Sequence, residues 1–145
     1  MTDLPDINVW LALVDKRHVH HIAAKQYWEE DASETLAFCR ITMLGLLRLS
    51  TSAPAFPNPL SPQEAWTTYR QFLALPTIRF LSEPSGLDDH FHALTSAPAL
   101  PNRLWTDAYL AAFAIAAGCR VVSFDGDFQR FPGLDFLHLV PLPQS

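Results

Sequence analysis

The chain predicts an α/β fold in which a central, mostly parallel sheet is flanked by helices. Three observations carry this. Short apolar runs of strand length alternate with segments of helical periodicity. A strongly apolar helix, Leu104–Ala117, closes at Gly118 and leads into Arg120–Phe124, a run of strand character. Acids stand just past the ends of two predicted strands. Alternation of this kind builds parallel sheets through right-handed crossovers. Ligands of such sheets sit beyond the carboxyl ends of the strands, which directs attention to those acids.

The elements follow in order. Leu4 and its neighbours form only a short strand, cut by Pro5, and Asn8–Val14 is a short apolar helix. Across His18–Asp31, Val19, Ile22, Ala23 and Tyr27 recur at helical spacing and predict one helix. Leu36–Cys39 has strand length, and Met43–Leu49 is apolar enough for a buried helix. Ser61-Pro62-Gln63-Glu64 joins a Ser N-cap, a Pro in the first turn and a Glu at the capping-box position. That opens a helix to about Leu75, with Ala65, Tyr69 and Phe72 on one face. Thr77–Leu81 reads as a strand, Leu87–Leu94 as a helix, and Phe136–Val140 as the last strand. Two loops, Ala53–Pro62 and Thr95–Pro101, fall where prolines gather. Neither is long or polar enough to link two domains, so residues 1–145 read as a single domain.

Composition narrows the class. The 145 residues are 49% hydrophobic and 17% charged, which excludes general disorder. The longest apolar stretch, Ala108–Cys119, is shorter than the roughly 20 residues a membrane span needs. Met1–Asp6 lacks a basic region followed by an apolar one, so no signal peptide is expected and a cytoplasmic location is. Cys39 and Cys119 both lie in apolar runs, where a thiol acts as a small hydrophobe, and no Cys-x-x-Cys spacing offers a zinc site. Ten Lys and Arg against 15 Asp and Glu give a formal charge of −5, which disfavours nucleic-acid binding through bulk charge. Binding through a metal ion is not disfavoured, because carboxylates then belong to the site.

Asp6 ends the first strand, Asp125 follows the Val121–Phe124 strand with Asp127 close behind, and Asp107 lies in the first turns of the Leu104–Ala117 helix. Singly, each has a plain structural explanation: a helix N-terminus stabilises an acid, and aspartates form turns. Gathered at one sheet edge, however, carboxylates repel and are costly to desolvate without a cation between them. Oxygen-only ligands suit Mg²⁺ or Mn²⁺, which can activate water and steady an in-line displacement at phosphorus.

Three segments resemble the PIN domain, and within it the VapC-type toxins of bacterial toxin–antitoxin pairs. Leu4-Pro5-Asp6-Ile7-Asn8-Val9 resembles the family's opening Asp-x-Asn-Val element. Thr106-Asp107-Ala108-Tyr109-Leu110-Ala111 is similar to the start of its long helix, and Ser123-Phe124-Asp125-Gly126-Asp127-Phe128 to its hydroxyl-x-Asp turn. His18-x-His20-His21-x-Ala23-Ala24 with Tyr27-Trp28 is similar to a subgroup of these toxins. The resemblance implies a PIN-like three-layer sandwich and a metal-dependent endoribonuclease that acts on RNA and is neutralised by a cognate antitoxin. It implies Asp6 and Asp107 as ligands of Mg²⁺ or Mn²⁺, Asp125 completing the site, Asn8 and Ser123 supporting it, and Asp127 as a lesser candidate. The apolar excess suggests a buried partner surface, a homodimer or an antitoxin groove, around Trp10–Val14 and Met43–Leu49.

One departure stands out. The family carries a Glu on the helix after its second strand, and here the register places Arg48 there, with no acid between Glu34 and Glu64. Arg48 is therefore a candidate to pair with an acid or to contact the scissile phosphate. It also motivates an alternative reading, a catalytically weakened PIN domain that only binds RNA or a protein. A receiver-like domain with an Asp nucleophile lacks its Lys and Thr/Ser pattern. His18, His20 and His21 have no further ligand at zinc spacing and are expected to pack locally. Trp10, Trp28 and Trp66 are expected in packed faces, with Trp105 beside Asp107 a candidate RNA or dimer contact. Arg103 either balances the acids or reaches a phosphate.

Overall fold

The computed structural model describes residues 1–96 and 98–142. Ala97, within the predicted Thr95–Pro101 loop, and the last three residues lie outside the described residues. Strands β1 (Thr2–Pro5), β2 (Thr35–Phe38), β3 (Ile78–Phe80), β4 (Arg120–Ser123) and β5 (Phe136–His138) form one sheet in the order β3-β2-β1-β4-β5. Every pairing is parallel, so the connecting segments carry helices across its faces, as the alternation predicts. These are α1 (Ile7–Val14), α2 (His21–Gln26), α3 (Arg40–Ser50), α4 (Pro62–Leu73), α5 (Leu87–Thr95) and α6 (Trp105–Ala117).

The two-residue period of each strand divides the core into two layers. Leu4, Ala37 and Val121 point to one face and pack against the α5–α6 pair through Leu87, Leu110 and Phe113. Leu36, Phe38 and Val122 point to the other and meet Trp10, Met43, Leu46 and Tyr69 of α1, α3 and α4. Trp10 stacks on Phe38 with ring centroids 3.9 Å apart and is wholly buried, so its place is the core and not a partner surface. The three-layer sandwich expected from the sequence is what forms.

Local signals set several boundaries. Ser61 and Glu64 form the reciprocal capping box that starts α4. Gly118 ends α6 in the left-handed region, at φ 69°, where residues with a Cβ are disfavoured. A Cβ on Gly45 would run into the Ile7 side chain, so glycine there lets α3 lie directly against α1.

The predicted His18–Asp31 helix is broken. His20 N–H donates to His18 Nδ1 at 3.0 Å and His21 Nδ1 lies 2.7 Å from the Ala12 carbonyl, which turns the chain before α2 begins. After α2 the helix widens into a π turn over Tyr27–Asp31, closed by Ala32 N–H on the Tyr27 carbonyl at 2.8 Å. The cause is distant in sequence. Tyr27 donates its hydroxyl to Asp3 of β1 at 2.6 Å, and Ser33 donates both its N–H and its hydroxyl to the same carboxylate. Arg120 of β4 completes the cluster with two bonds of 2.9 and 3.0 Å.

Candidate active site

The strand register decides which side chains meet. Pro5 lies opposite Val122, and Asp6 N–H continues the ladder to the Val122 carbonyl at 2.8 Å. Asp6 therefore comes level with Ser123 at the carboxyl edge, at the central pair of strands. It is also the N-cap of α1, accepting from Ile7 N–H at 2.8 Å.

Ser123 is the hub. Its buried hydroxyl donates to Asp6 Oδ2 at 2.8 Å and accepts from Asn8 Nδ2 at 3.1 Å and from Asp125 N–H at 3.0 Å. One proton donated and two accepted uses its whole hydrogen-bonding capacity. Asn8 in turn faces the Phe124 N–H with its carbonyl oxygen at 3.4 Å. Asp125 caps the following 3₁₀ turn, Gly126–Arg130, by accepting from Asp127 N–H at 2.9 Å. Phe128 of that turn is wholly buried. Asp107 enters from the first turn of α6.

The electrostatics show how these acids are grouped. Burial pushes the Asp6 carboxyl up, reinforced by the charge of Asp125 and opposed by the Ser123 hydroxyl and Ile7 N–H. Asp107 is pushed up to about 7, first by burial and then by the charges of Asp6, Asp125 and Asp127, with only Arg103 opposing. Arg103 is itself engaged: it donates to Asp127 at 2.6 Å, which holds that carboxyl below its usual range. So Arg103 balances an acid, the first of its two sequence readings. Both partners of this pair are substantially exposed.

The structure thus brings Asp6, Asn8, Ser123, Asp125, Asp107 and Asp127 to one edge. Arg48 is not brought there. It is exposed on α3 and lines a groove of about 250 Å³ against α4, with Leu44, Leu47, Pro62, Ala65 and Trp66. Among the described residues it makes no ion pair. The reason is helical phase: the turn of α3 that bears Arg48 faces α4 and not α1.

Two residues that sequence reasoning did not assign to the site support its turn. His20 stacks on Phe124 with centroids 4.4 Å apart, and His138 Nε2 lies 3.1 Å from the Phe124 carbonyl. No local signal marks either, since both reach Phe124 only through the folded chain. Trp105 stands 48% exposed beside the acids, edge-on to Phe91.

Among the described residues, no three His, Cys, Asp or Glu side chains stand close enough as placed to chelate a metal ion. The donor set nevertheless fits a hard divalent ion. It is oxygen-only, the charges of Asp6, Asp125 and Asp127 raise the proton affinity of Asp107, and the neighbouring Arg103 is committed to Asp127.

An α/β sandwich with aspartates gathered at the carboxyl edge of its sheet is the frame of a PIN domain, and a PIN-domain family model matches residues 4–134. The chain belongs to the PIN-domain family. Within it, the likeness runs to the VapC-type members. Ribonuclease VapC41 of Mycobacterium tuberculosis is 36% identical over 138 residues, covering 91% of this chain and 94% of that protein. Ribonuclease VapC44 of the same organism is 32% identical and spans 98% of this chain and all of its own length. Among solved structures, Mycobacterium tuberculosis VapC20, a toxin that cleaves the sarcin–ricin loop, superposes with a TM-score of 0.67 at 16% identity, over 92% of this chain and 98% of its own.

Proposed function

We propose that this chain is a metal-dependent endoribonuclease toxin of a toxin–antitoxin pair. The observation that carries the reading is the gathering of Asp6, Asp107 and Asp125 at one sheet edge, where the Ser123 hydroxyl bonds the Asp6 carboxylate and the Asp125 N–H. VapC-named ribonucleases of the same family, at 36% and 32% identity over nearly the whole chain, support it.

The reaction is hydrolysis of an RNA phosphodiester: a water oxygen bonds to phosphorus, and the bond from phosphorus to the departing ribose oxygen breaks. Asp6, Asp107 and Asp125 would hold Mg²⁺ or Mn²⁺. When bound, such an ion supplies a polarised water and neutralises charge on the phosphoryl oxygens. The chain's own work is orientation. Ser123 and the Ile7 N–H fix the two oxygens of Asp6, leaving lone pairs free toward the edge. Asn8 locks the Ser123 hydroxyl and faces the Phe124 N–H, which holds the turn bearing Asp125. Preorganised carboxylates of this kind lower the cost of assembling the site.

A cognate antitoxin is the proposed protein partner, and a second copy of the chain another. Two grooves offer apolar surface: the α3–α4 groove that holds Arg48, and one of about 310 Å³ lined by Leu13, Trp28 and Phe72. Among the described residues no helix is long and apolar enough to cross a membrane.

The test is cleavage of total cellular RNA by the purified chain, with Mn²⁺ or Mg²⁺ against EDTA. Discrete fragments that require the metal and disappear in Asp6→Asn and Asp107→Asn are expected. Full activity in either variant, or in EDTA, would overturn the site assignment.

A further inference from the structure

The carboxyl edge of the sheet continues past the acids, and its next stretch is built differently. Carrying the β1–β2 register on by three positions and the β2–β3 register by one sets Asp6 level with Cys39 and Leu81. Arg40 and Ser82 then stand one residue beyond, at the ends of β2 and β3. Neighbouring strands are about 4.8 Å apart, so this stretch begins within roughly 5–10 Å of Asp6. It holds a cavity of about 270 Å³ lined by Arg40, Phe80, Leu81, Ser82, Glu83 and Phe113.

Its chemistry is that of a flat, polar-edged ligand. The Arg40 guanidinium lies over the Phe80 ring, 4.5 Å from its centroid. Among the described residues Arg40 pairs with no acid, and its side-chain contact is a long one, 3.7 Å, to the Met43 sulfur. Buried Phe113 supplies an apolar wall. Glu83 accepts the Tyr109 hydroxyl on Oε2 at 2.9 Å, and Tyr109 is two residues past Asp107 on α6. The other carboxylate oxygen of Glu83 thus has no side-chain partner among the described residues, and the wall that carries it is tethered to the helix that brings Asp107 to the site.

We propose that this cavity is a nucleobase subsite for the nucleotide beside the scissile phosphate of a single-stranded RNA. The base stacks on the free face of the Arg40 guanidinium, a plane on which single-stranded bases stack as they do on aromatic rings. Its exocyclic amine donates to Glu83 Oε1. Guanine, adenine and cytosine carry such an amine and uracil does not, so the subsite selects against uracil. The inference rests on the nuclease reading and adds to it the position where sequence is read.

The experiment maps the cleavage ends of wild-type chain on cellular RNA with Mn²⁺, then measures kinetics on short RNAs that vary at each flanking nucleotide. Wild type is expected to disfavour uracil at one flanking position. Arg40→Gln raises KM about tenfold on the favoured RNA with kcat little changed, the size of one lost stacking contact. Glu83→Ala, which carries no side-chain acceptor, removes the discrimination at that one position while cleavage persists. Wild-type base preference and KM in both variants would overturn the subsite and leave the nuclease reading standing. Should wild type cleave no RNA, the nuclease reading fails first. Fluorescence anisotropy with labelled oligoadenylate and oligouridylate then judges the subsite: equal affinity of wild type for both, unaltered in Arg40→Gln, overturns it.

Discussion

Ser123 joins the site to the fold through one hydroxyl. Replacing it by Ala removes the donor to Asp6 and leaves Asn8 Nδ2 and the Asp125 N–H without their acceptor. Ser123→Ala is expected to lose about 1–3 kcal/mol of stability in urea titrations, because buried polar groups are left unpaired, and to lower metal-dependent cleavage as Asp6 loses its orientation. Stability and activity equal to wild type would show that the hub is dispensable. Arg48 is the contrasting case. Its exposed position in the α3–α4 groove means that Arg48→Glu leaves kcat/KM for RNA unchanged. A marked gain in cleavage would return Arg48 to the acids and revive the reading of a weakened binding module. Asp6, Asp107 and Asp125 were legible from their places at strand ends and a helix start, whereas Asn8 and Ser123 followed from the family resemblance. Arg48 was misplaced because a register within a helix does not state which neighbour that turn faces.

At the scale of elements, local chemistry and tertiary contact can be separated. The α4 capping box needs four consecutive residues and no partner element, which is why its start was readable. Ser61→Ala is expected to cost about 0.5–2 kcal/mol, measured as a shift in the urea midpoint with unchanged slope. Gly118 is likewise local: at φ 69° a Cβ is strained, so Gly118→Ala is expected to destabilise by about 1–2 kcal/mol. The π turn at Tyr27–Asp31 was not readable. Its periodicity is ordinary helix, and it widens where Tyr27 bonds Asp3, a residue 24 positions earlier in the chain.

The whole molecule has two charged centres at opposite edges of one sheet. At the carboxyl edge Arg103 pairs with Asp127, while Asp6, Asp107 and Asp125 make no ion pair among the described residues. At the amino edge Asp3 is fully buried, yet its carboxylate accepts from Arg120, Tyr27 and Ser33. Burial pushes its carboxyl up, but the Arg120, Tyr27 and Ser33 bonds together outweigh it and the net lies below the usual value of 3.8. A carboxyl depressed in the folded state contributes stability above its unfolded pKa and loses it as pH falls through the folded one. Stability is therefore expected to fall as pH drops below about 4, and less steeply in Asp3→Asn, in urea titrations across that range. An identical pH profile in the variant would remove Asp3 from this account. Arg120→Ala strands the buried carboxylate, and a loss of about 3–5 kcal/mol is expected at neutral pH.

The sequence by itself determined the alternation of strands and helices, the caps that start α4 and end α6, and the acids at the strand ends. These depend on periodicity and on neighbours a few residues apart, which a linear chain displays. The tertiary structure alone decided that Ser123 lies level with Asp6, that Arg103 pairs with Asp127, that Arg48 faces α4, and that Arg40 lies over Phe80. Each of these follows from strand register or helix phase, quantities fixed only when separate segments pack and bury a common face. A one-residue slip in strand register would turn the same side chain to the opposite layer, and one in helix phase would swing it by about 100°.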